Sequence, residues 1–451
     1  MKKNYVLEMD ILRLGGETGL AEWEGMTVFV RGALPGEHVR VRVEKVAKTY
    51  AFAKTLEVLS PSPARREPRC PYYERCGGCV CQHMSYELSL EMKRQRVEDA
   101  LRRIGDMAVT VPPVIGMEYP WRYRNKTALP VGGETGNPQI GYYAPRSHRI
   151  VDVEKCLIAK EQSDEVTGVV RAWMVKFGIP PYNEATRKGV VRHVMSRVSR
   201  DGRVMAVVVA ARAPLPHDRE LTAMLRTGVK GLTSVYLNVN RRGDNVILGG
   251  EMHLLYGEER LTDTLCGFEY RLSPLSFFQV NPVQTEKLYR TALDFAKLTG
   301  TETVADLYCG AGTISLLLAR HARHVTGVEV VEAAIADARE NARRAGVENV
   351  DFVAAPAEEK LPEMVRGGLR PDVVVLDPPR KGCEEAVLRA ILQAAPARVV
   401  YVSCDVATQA RDGRILQAGG YRAVRCQSVD MFCQTAHVEN VLLFEKGEAP
   451  C

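Results

Sequence analysis

The chain reads as an α/β protein in three parts. A small β-barrel is expected over residues 1–60, a central α/β region over 61–270, and a doubly wound sheet over 271–451. Three features carry that reading. Short apolar–polar alternations broken by glycine and proline fill the first sixty residues. A cysteine-rich turn followed by a basic helix opens the middle. From about residue 271 strand, turn and helix alternate. At 451 residues the chain is also too long for one ordinary domain.

In the first part, HVRVRVEKV (38–46) alternates strictly, and YAFAKTLEVL (50–59) alternates again after a turn. Short strands at this spacing predict a small barrel, and SPSPARREP (60–68) is its proline-rich exit. SYELSLEMKRQRVEDALRRIG (85–105) predicts a helix with Leu90, Val97, Leu101 and Ile104 on one face, the basic residues mostly on another, and Gly105 as its stop. VMAVVVAAR (204–212) and SVYLNVN (234–240) read as central strands. In the last part TVADLYC, HVTGVEV, NVDFVAA, DVVVLD and RVVYVSC are strands separated by helices such as EAAIADARENARRAG.

Composition excludes some classes. No run of 18 apolar residues appears, so no membrane-spanning helix is expected, and the N-terminus lacks the apolar core of a secretory signal. A cytoplasmic protein is expected. Lys and Arg number 61 against 55 Asp and Glu, so the distribution of charge says more than its sum. Basic residues gather in the first half, around 65–69, 93–103, 122–126 and 187–192. Several stand beside aromatics, as in WRYRNK (121–126), which points to RNA as a partner.

DLYCGAGT places Gly310 and Gly312 in the first strand-to-helix turn, where a missing Cβ lets backbone approach a ligand. Glu329 closes the second strand, where a carboxylate accepts hydrogen bonds from ribose hydroxyls. Those residues fit NAD and S-adenosylmethionine equally. DPPR (377–380) at a strand end and FFQVN (277–281) before the first helix choose the methyl donor, since neither has a place in a dehydrogenase.

Downstream stand Cys404 in YVSCD and Glu439 in HVEN. Methylating C5 of uracil needs a thiolate to add to C6, making C5 nucleophilic, and a base to take the C5 proton before the thiol leaves. Cys404 ends the strand after the one that carries Asp377, so both should project into one cleft. His437 lies two positions before Glu439, on the same face of an extended strand. Asp377 is expected to accept the N3–H of uracil.

Cys70, Cys76 and Cys79 form C-x5-C-x2-C, with Cys156 as a candidate fourth thiolate and Cys81 as a spare. This spacing predicts a metal site, either an iron–sulfur cluster or zinc. With no export signal, disulfides are disfavoured.

Taken together, ALPGEHV, CPYYERCGGC, QHMSY, WRYRNK, FFQVN, DLYCGAGT, DPPRKG, YVSC and DMFCQTAHVEN resemble the RNA 5-methyluridine methyltransferases, specifically the iron–sulfur members that act on 23S ribosomal RNA. The resemblance spans roughly residues 15 to 445. It implies an N-terminal TRAM domain, an OB-like barrel, over 1–60, a central α/β domain with a [4Fe-4S] cluster on Cys70, Cys76, Cys79 and Cys156, and a Rossmann-like methyltransferase domain from 271. It further implies S-adenosylmethionine binding by Gln279, Tyr308, Glu329 and Asp377, with Cys404 as nucleophile and Glu439 as base. RNA is the expected partner, with no membrane, and a monomer is favoured while the sequence leaves the oligomeric state open. The family usually has SCNPAT where this chain has SCDVAT, and DMFPQT where it has DMFCQT. Asp405 should therefore raise the Cys404 pKa unless it is turned away. Two competing readings are a transfer-RNA uridine-5 methyltransferase and a non-catalytic iron–sulfur RNA-binding protein; the second has no use for Cys404 together with Glu439.

Overall fold

The computed structural model describes residues 1–447, so the final four positions of the expected third part lie outside it. Its architecture is mixed α/β, built on three large sheets.

The first sheet has six strands in the order Val6–Asp10, His38–Val46, Tyr50–Ser60, Met26–Arg31, Thr18–Trp23, Arg13–Gly15. The alternation read in the sequence sets its faces. Val39, Val41 and Val43 point inward with Val28, Val30, Ala51 and Ala53, while their neighbours face out. Arg65 leaves this barrel and returns its guanidinium to the buried Glu37 carboxylate and to the Gly32 carbonyl (2.7 Å), fixing the exit segment.

The central sheet has seven strands, running from Glu251–Gly257 through Leu232–Val239, Val204–Ala210, Val191–Val198, Lys126–Glu134 and Asn137–Tyr143 to Ile150–Asp152. Helices Glu161–Lys176 and Asp218–Gly228 cover one face with Val166, Val170, Trp173, Leu221 and Leu225. A hairpin, Leu261–Leu265 with Phe268–Leu272, follows, and its Phe268, Tyr270 and Leu272 join the core of the third sheet.

That third sheet runs Val350–Ala354, His324–Glu329, Thr303–Leu307, Val373–Leu376, Arg398–Ser403, Glu439–Lys446, Tyr421–Val429. Six of its strands run parallel, and Glu439–Lys446, between Arg398–Ser403 and Tyr421–Val429, runs antiparallel to both neighbours. Strand order reverses between Thr303–Leu307 and Val373–Leu376, and ligands of such sheets bind beyond the carboxyl ends at that point.

The helix predicted over 85–105 spans Tyr86–Arg103, with the Ser85 hydroxyl accepting from Leu88 N–H as its N-cap. Val97 and Leu101 are buried against Leu307, Leu376, Tyr401 and Phe444 of the third sheet. Two details differ from the helical-face reading. Ile104 is the C-cap and 39% exposed, because the helix ends before its side chain reaches the core. Lys93, read as part of a basic face, is fully buried.

Candidate active site

At the switch point, Leu307 gives way to a turn in which Tyr308, Gly310 and Gly312 all take positive φ (65°, 54° and 78°). Gly312 caps helix Thr313–Ala319, and a Cβ there would stand 2.8 Å from the Phe352 ring. Gly310 faces open space on its Cβ side, leaving its backbone accessible to a ligand. Its N–H donates to Glu329 (3.2 Å), whose other oxygen accepts from Val331 N–H (2.9 Å). The Glu329 carboxylate is thereby held at the mouth of the turn. Below it, Asp306 is buried under the Ser315 hydroxyl, and burial pushes its pKa up to about 7.

Gln279 lies on the loop before helix Pro282–Ala296. Its loop is pinned by Asn125, whose N–H donates to the Val280 carbonyl (2.8 Å) and whose side-chain amide donates to the Gln279 carbonyl (3.2 Å). Asn281 then caps helix Pro282–Ala296 and donates to the Met431 carbonyl (3.0 Å). Asp377 follows the last residue of Val373–Leu376, and its N–H donates back to the Leu307 carbonyl (3.3 Å). Burial raises its pKa to about 7.

Register brings the catalytic candidates together. Ser403 pairs with Asn440 across the antiparallel ladder, so one further step sets Cys404 opposite Glu439. Glu439 is 3% exposed, and burial, reinforced by Asp377 and opposed by Arg380, raises its pKa to about 8. The partly exposed Cys404 thiol is also raised, first by burial, then by Glu439 and Asp377, while Arg380 lowers it. Two carboxyls, one thiol and one guanidinium therefore share a single electrostatic site. Sequence patterning assigns Arg380 no role; the cation in DPPR is the one local signal for it.

Asp405 is turned away from the thiol. Its carboxylate caps helix Val406–Ala418, accepting from the N–H groups of Ala407 (3.0 Å) and Thr408 (3.1 Å). His437 does not share the face of Glu439. The strand begins at Glu439, and His437 is exposed on the preceding loop with its ring 6.1 Å from that of Phe432.

The loop Asp430–Val438 that delivers Glu439 is held from the amino-terminal half. Lys93 pairs with the buried Asp430 carboxylate and donates to the Phe432 carbonyl (3.1 Å), and the Tyr86 hydroxyl donates to Asp430 (2.6 Å). Tyr123 donates to the Cys433 carbonyl (2.9 Å), and Val80 and Cys81 N–H both donate to the Gln434 carbonyl. WRYRNK is thus largely internal. Arg122 binds the Cys156 and Ala159 carbonyls and Asp164. Arg192 is likewise buried on the Asn240 and Arg242 carbonyls and Glu184. Lone basic clusters in the sequence gave no sign of this, because internal carbonyl acceptors are invisible to charge counting.

Cys70, Cys76, Cys79 and Cys156 line one cavity of about 190 Å³ beside Tyr72, Tyr142 and Arg124. Among the described residues no His, Cys, Asp and Glu side chains gather closely enough to hold a metal ion. Four thiols around one cavity are a donor set that both an iron–sulfur cluster and zinc use. Cys81 is buried against Leu34, Met84 and Met92 and does not line the cavity. All eleven cysteines of the described residues are free thiols. No helix among them is long and apolar enough to cross a membrane.

Comparison with known proteins agrees with this geometry. Residues 251–447 match the tRNA (uracil-5-)-methyltransferase family and residues 6–56 the TRAM domain. The chain is 47% identical to an RNA methyltransferase of Clostridium tetani, over 98% of this chain and 97% of that one. It is 46% identical to one of Halalkalibacterium halodurans, over 99% and 98%. Among solved structures it is similar to the Pyrococcus abyssi tRNA (uracil-54, C5)-methyltransferase in complex with S-adenosyl-L-homocysteine. That similarity has a TM-score of 0.77 and 27% identity, and covers 97% of this chain and all of that one. The chain belongs to the S-adenosylmethionine-dependent RNA uracil-5 methyltransferase family, with an N-terminal TRAM domain.

Proposed function

We propose that the protein methylates C5 of uridine in 23S ribosomal RNA through a covalent bond between the Cys404 sulfur and C6 of the base. The observation that supports this best is the ladder register that sets Cys404 opposite Glu439, with Asp377 and Arg380 acting on both. S-adenosylmethionine, when bound by Gln279, Tyr308, Glu329, Gly310 and Gly312, supplies an electrophilic methyl group. Arg380 stabilises the Cys404 thiolate, which adds to C6 and pushes electron density to C5. C5 takes the methyl group. Ionised Glu439 then removes the C5 proton, and the C6–S bond breaks to return the thiolate. Asp377 accepts the N3–H of uracil, which distinguishes it from cytosine, where N3 carries no proton. The reacting ring must leave its stack to reach Cys404.

Cys70, Cys76, Cys79 and Cys156 would hold a [4Fe-4S] cluster, and no step of the reaction passes through it. Anaerobic preparation should yield visible charge-transfer absorbance with matching iron and sulfide content. Cys156→Ala should lose both, and colourless wild-type protein would refute the assignment.

Likeness to the archaeal enzyme named for tRNA uracil-54 supports a second reading, in which transfer RNA is the substrate. Labelled methyl incorporation into 23S ribosomal RNA and into transfer RNA separates the two. Cys404→Ala should abolish incorporation in either, and wild-type incorporation by that variant would exclude the thiol route.

A further inference from the structure

Asp412 is a buried carboxylate that the methyl-transfer steps above do not use. It lies on helix Val406–Ala418, which starts just past Cys404, and is 1% exposed. One of its oxygens accepts from the Cys383 N–H (2.8 Å) and the Tyr401 hydroxyl (2.7 Å), the other from Arg411 (2.8 Å). Arg411 reaches on to the Lys381 carbonyl (2.9 Å). The Cys383 and Lys381 bonds hold the backbone just after Arg380. The approach is close: Gly382 has a φ of 81°, and a Cβ there would stand 2.5 Å from an Asp412 oxygen. A buried ion of this kind is often no more stabilising than an apolar side chain of its size; what it adds is a fixed geometry. Arg380 needs such fixing. It is exposed, and whereas Lys381 and Arg411 pair with Glu384 and Asp412, its guanidinium pairs with no carboxylate among the described residues. Its backbone alone can aim it at Cys404.

We propose that Asp412 is a positioning residue: it clamps residues 379–383 onto helix Val406–Ala418 and thereby holds the Arg380 guanidinium beside the Cys404 thiol. The helix that follows the nucleophile also anchors the nucleophile's cation, so thiol and guanidinium are set from one element. The proposal rests on Cys404 being the nucleophile and deepens that reading with a buried residue that meets no substrate. Its sign is distinctive. Removing a carboxylate by itself lowers the pKa of a thiol, whereas losing a nearby guanidinium raises it. The charged groups acting on Cys404 are Glu439, Asp377 and Arg380.

The test is the pH dependence of Cys404 alkylation by iodoacetamide in the full chain, followed on the Cys404 peptide by mass spectrometry. Asp412→Ala should raise the midpoint by about one pH unit, as should Arg380→Met. The double variant should rise no further than Arg380→Met alone, because both changes remove the same interaction. Gly382→Ala pushes the segment off Asp412 without altering any charge, and its midpoint should also rise. An unchanged or lowered midpoint in Asp412→Ala would overturn the proposal, as would additive shifts in the double variant. If Asp412→Ala does not fold, Gly382→Ala decides by the same criterion. Methylation of RNA by Cys404→Ala would refute the thiol route while leaving a shifted midpoint standing, so the two failures are separable.

Discussion

Lys93→Met tests whether the amino-terminal helix sets the position of the base. In the structure Lys93 and Asp430 are both fully buried and paired, and Tyr86 donates to the second carboxylate oxygen. Methionine keeps the apolar length of the lysine stem and removes only the charge. The Phe432 carbonyl keeps its bonds from Thr435 N–H and hydroxyl (3.2 and 2.7 Å), so the loss falls on Asp430. An uncompensated buried carboxylate costs about 3–5 kcal/mol. Protonation caps that penalty, because converting an ordinary aspartate to its acid costs about 4 kcal/mol at pH 7 and about 1.5 kcal/mol at pH 5. The penalty should therefore be near its cap at pH 7 and fall by more than half at pH 5. Native-state hydrogen exchange of amides in Phe432–Val438, compared with wild type at both pH values, reads the opening free energy of the loop directly. A penalty below about 1 kcal/mol at pH 7, or one that does not shrink at pH 5, would refute the claim that this pair holds the loop.

Four further outcomes are expected. Because the thiolate and ionised Glu439 are the reactive forms and burial raises both pKa values, that of Glu439 to about 8, single-turnover methylation should climb between pH 7 and 9; a flat profile would contradict the assignment. Glu439→Gln should accumulate a protein–RNA adduct on denaturing gels, since the thiol still adds but the C5 proton stays. Gly312→Ala, with φ of 78° and a new Cβ 2.8 Å from Phe352, should lose affinity for S-adenosyl-L-homocysteine by calorimetry, whereas wild-type affinity would show that the turn tolerates a side chain. Asp405→Ala should cost about 1 kcal/mol of stability by removing a helix cap and Asp405→Asn much less, with Cys404 alkylation showing the same pH midpoint in both.

Much of the architecture was legible because its signals are local. The alternation of HVRVRVEKV, the turn chemistry of DLYCGAG and the strand ends at Asp377 and Cys404 depend on residues a few positions apart. Reading failed where a side chain's role depends on a distant partner. Lys93 looked like surface charge because its carboxylate is 337 residues away. Arg122 and Arg192 looked available to RNA because their acceptors are internal carbonyls. Asp405 reads in the sequence as a threat to the thiol, and only the bonds it accepts from Ala407 and Thr408 N–H show that it faces the helix cap.

The linear order of residues was enough to name the chemical groups: a thiol and a carboxyl at strand ends, a glycine turn for a nucleoside, and four cysteines in the central region. Three-dimensional packing alone decided which groups meet. The antiparallel ladder puts Cys404 beside Glu439, and Arg380 enters from the neighbouring strand end to oppose their shared burial. Charge and hydrogen bonding act through space over a few ångströms, and hydrophobic periodicity along the chain carries no record of which distant segments those few ångströms will join.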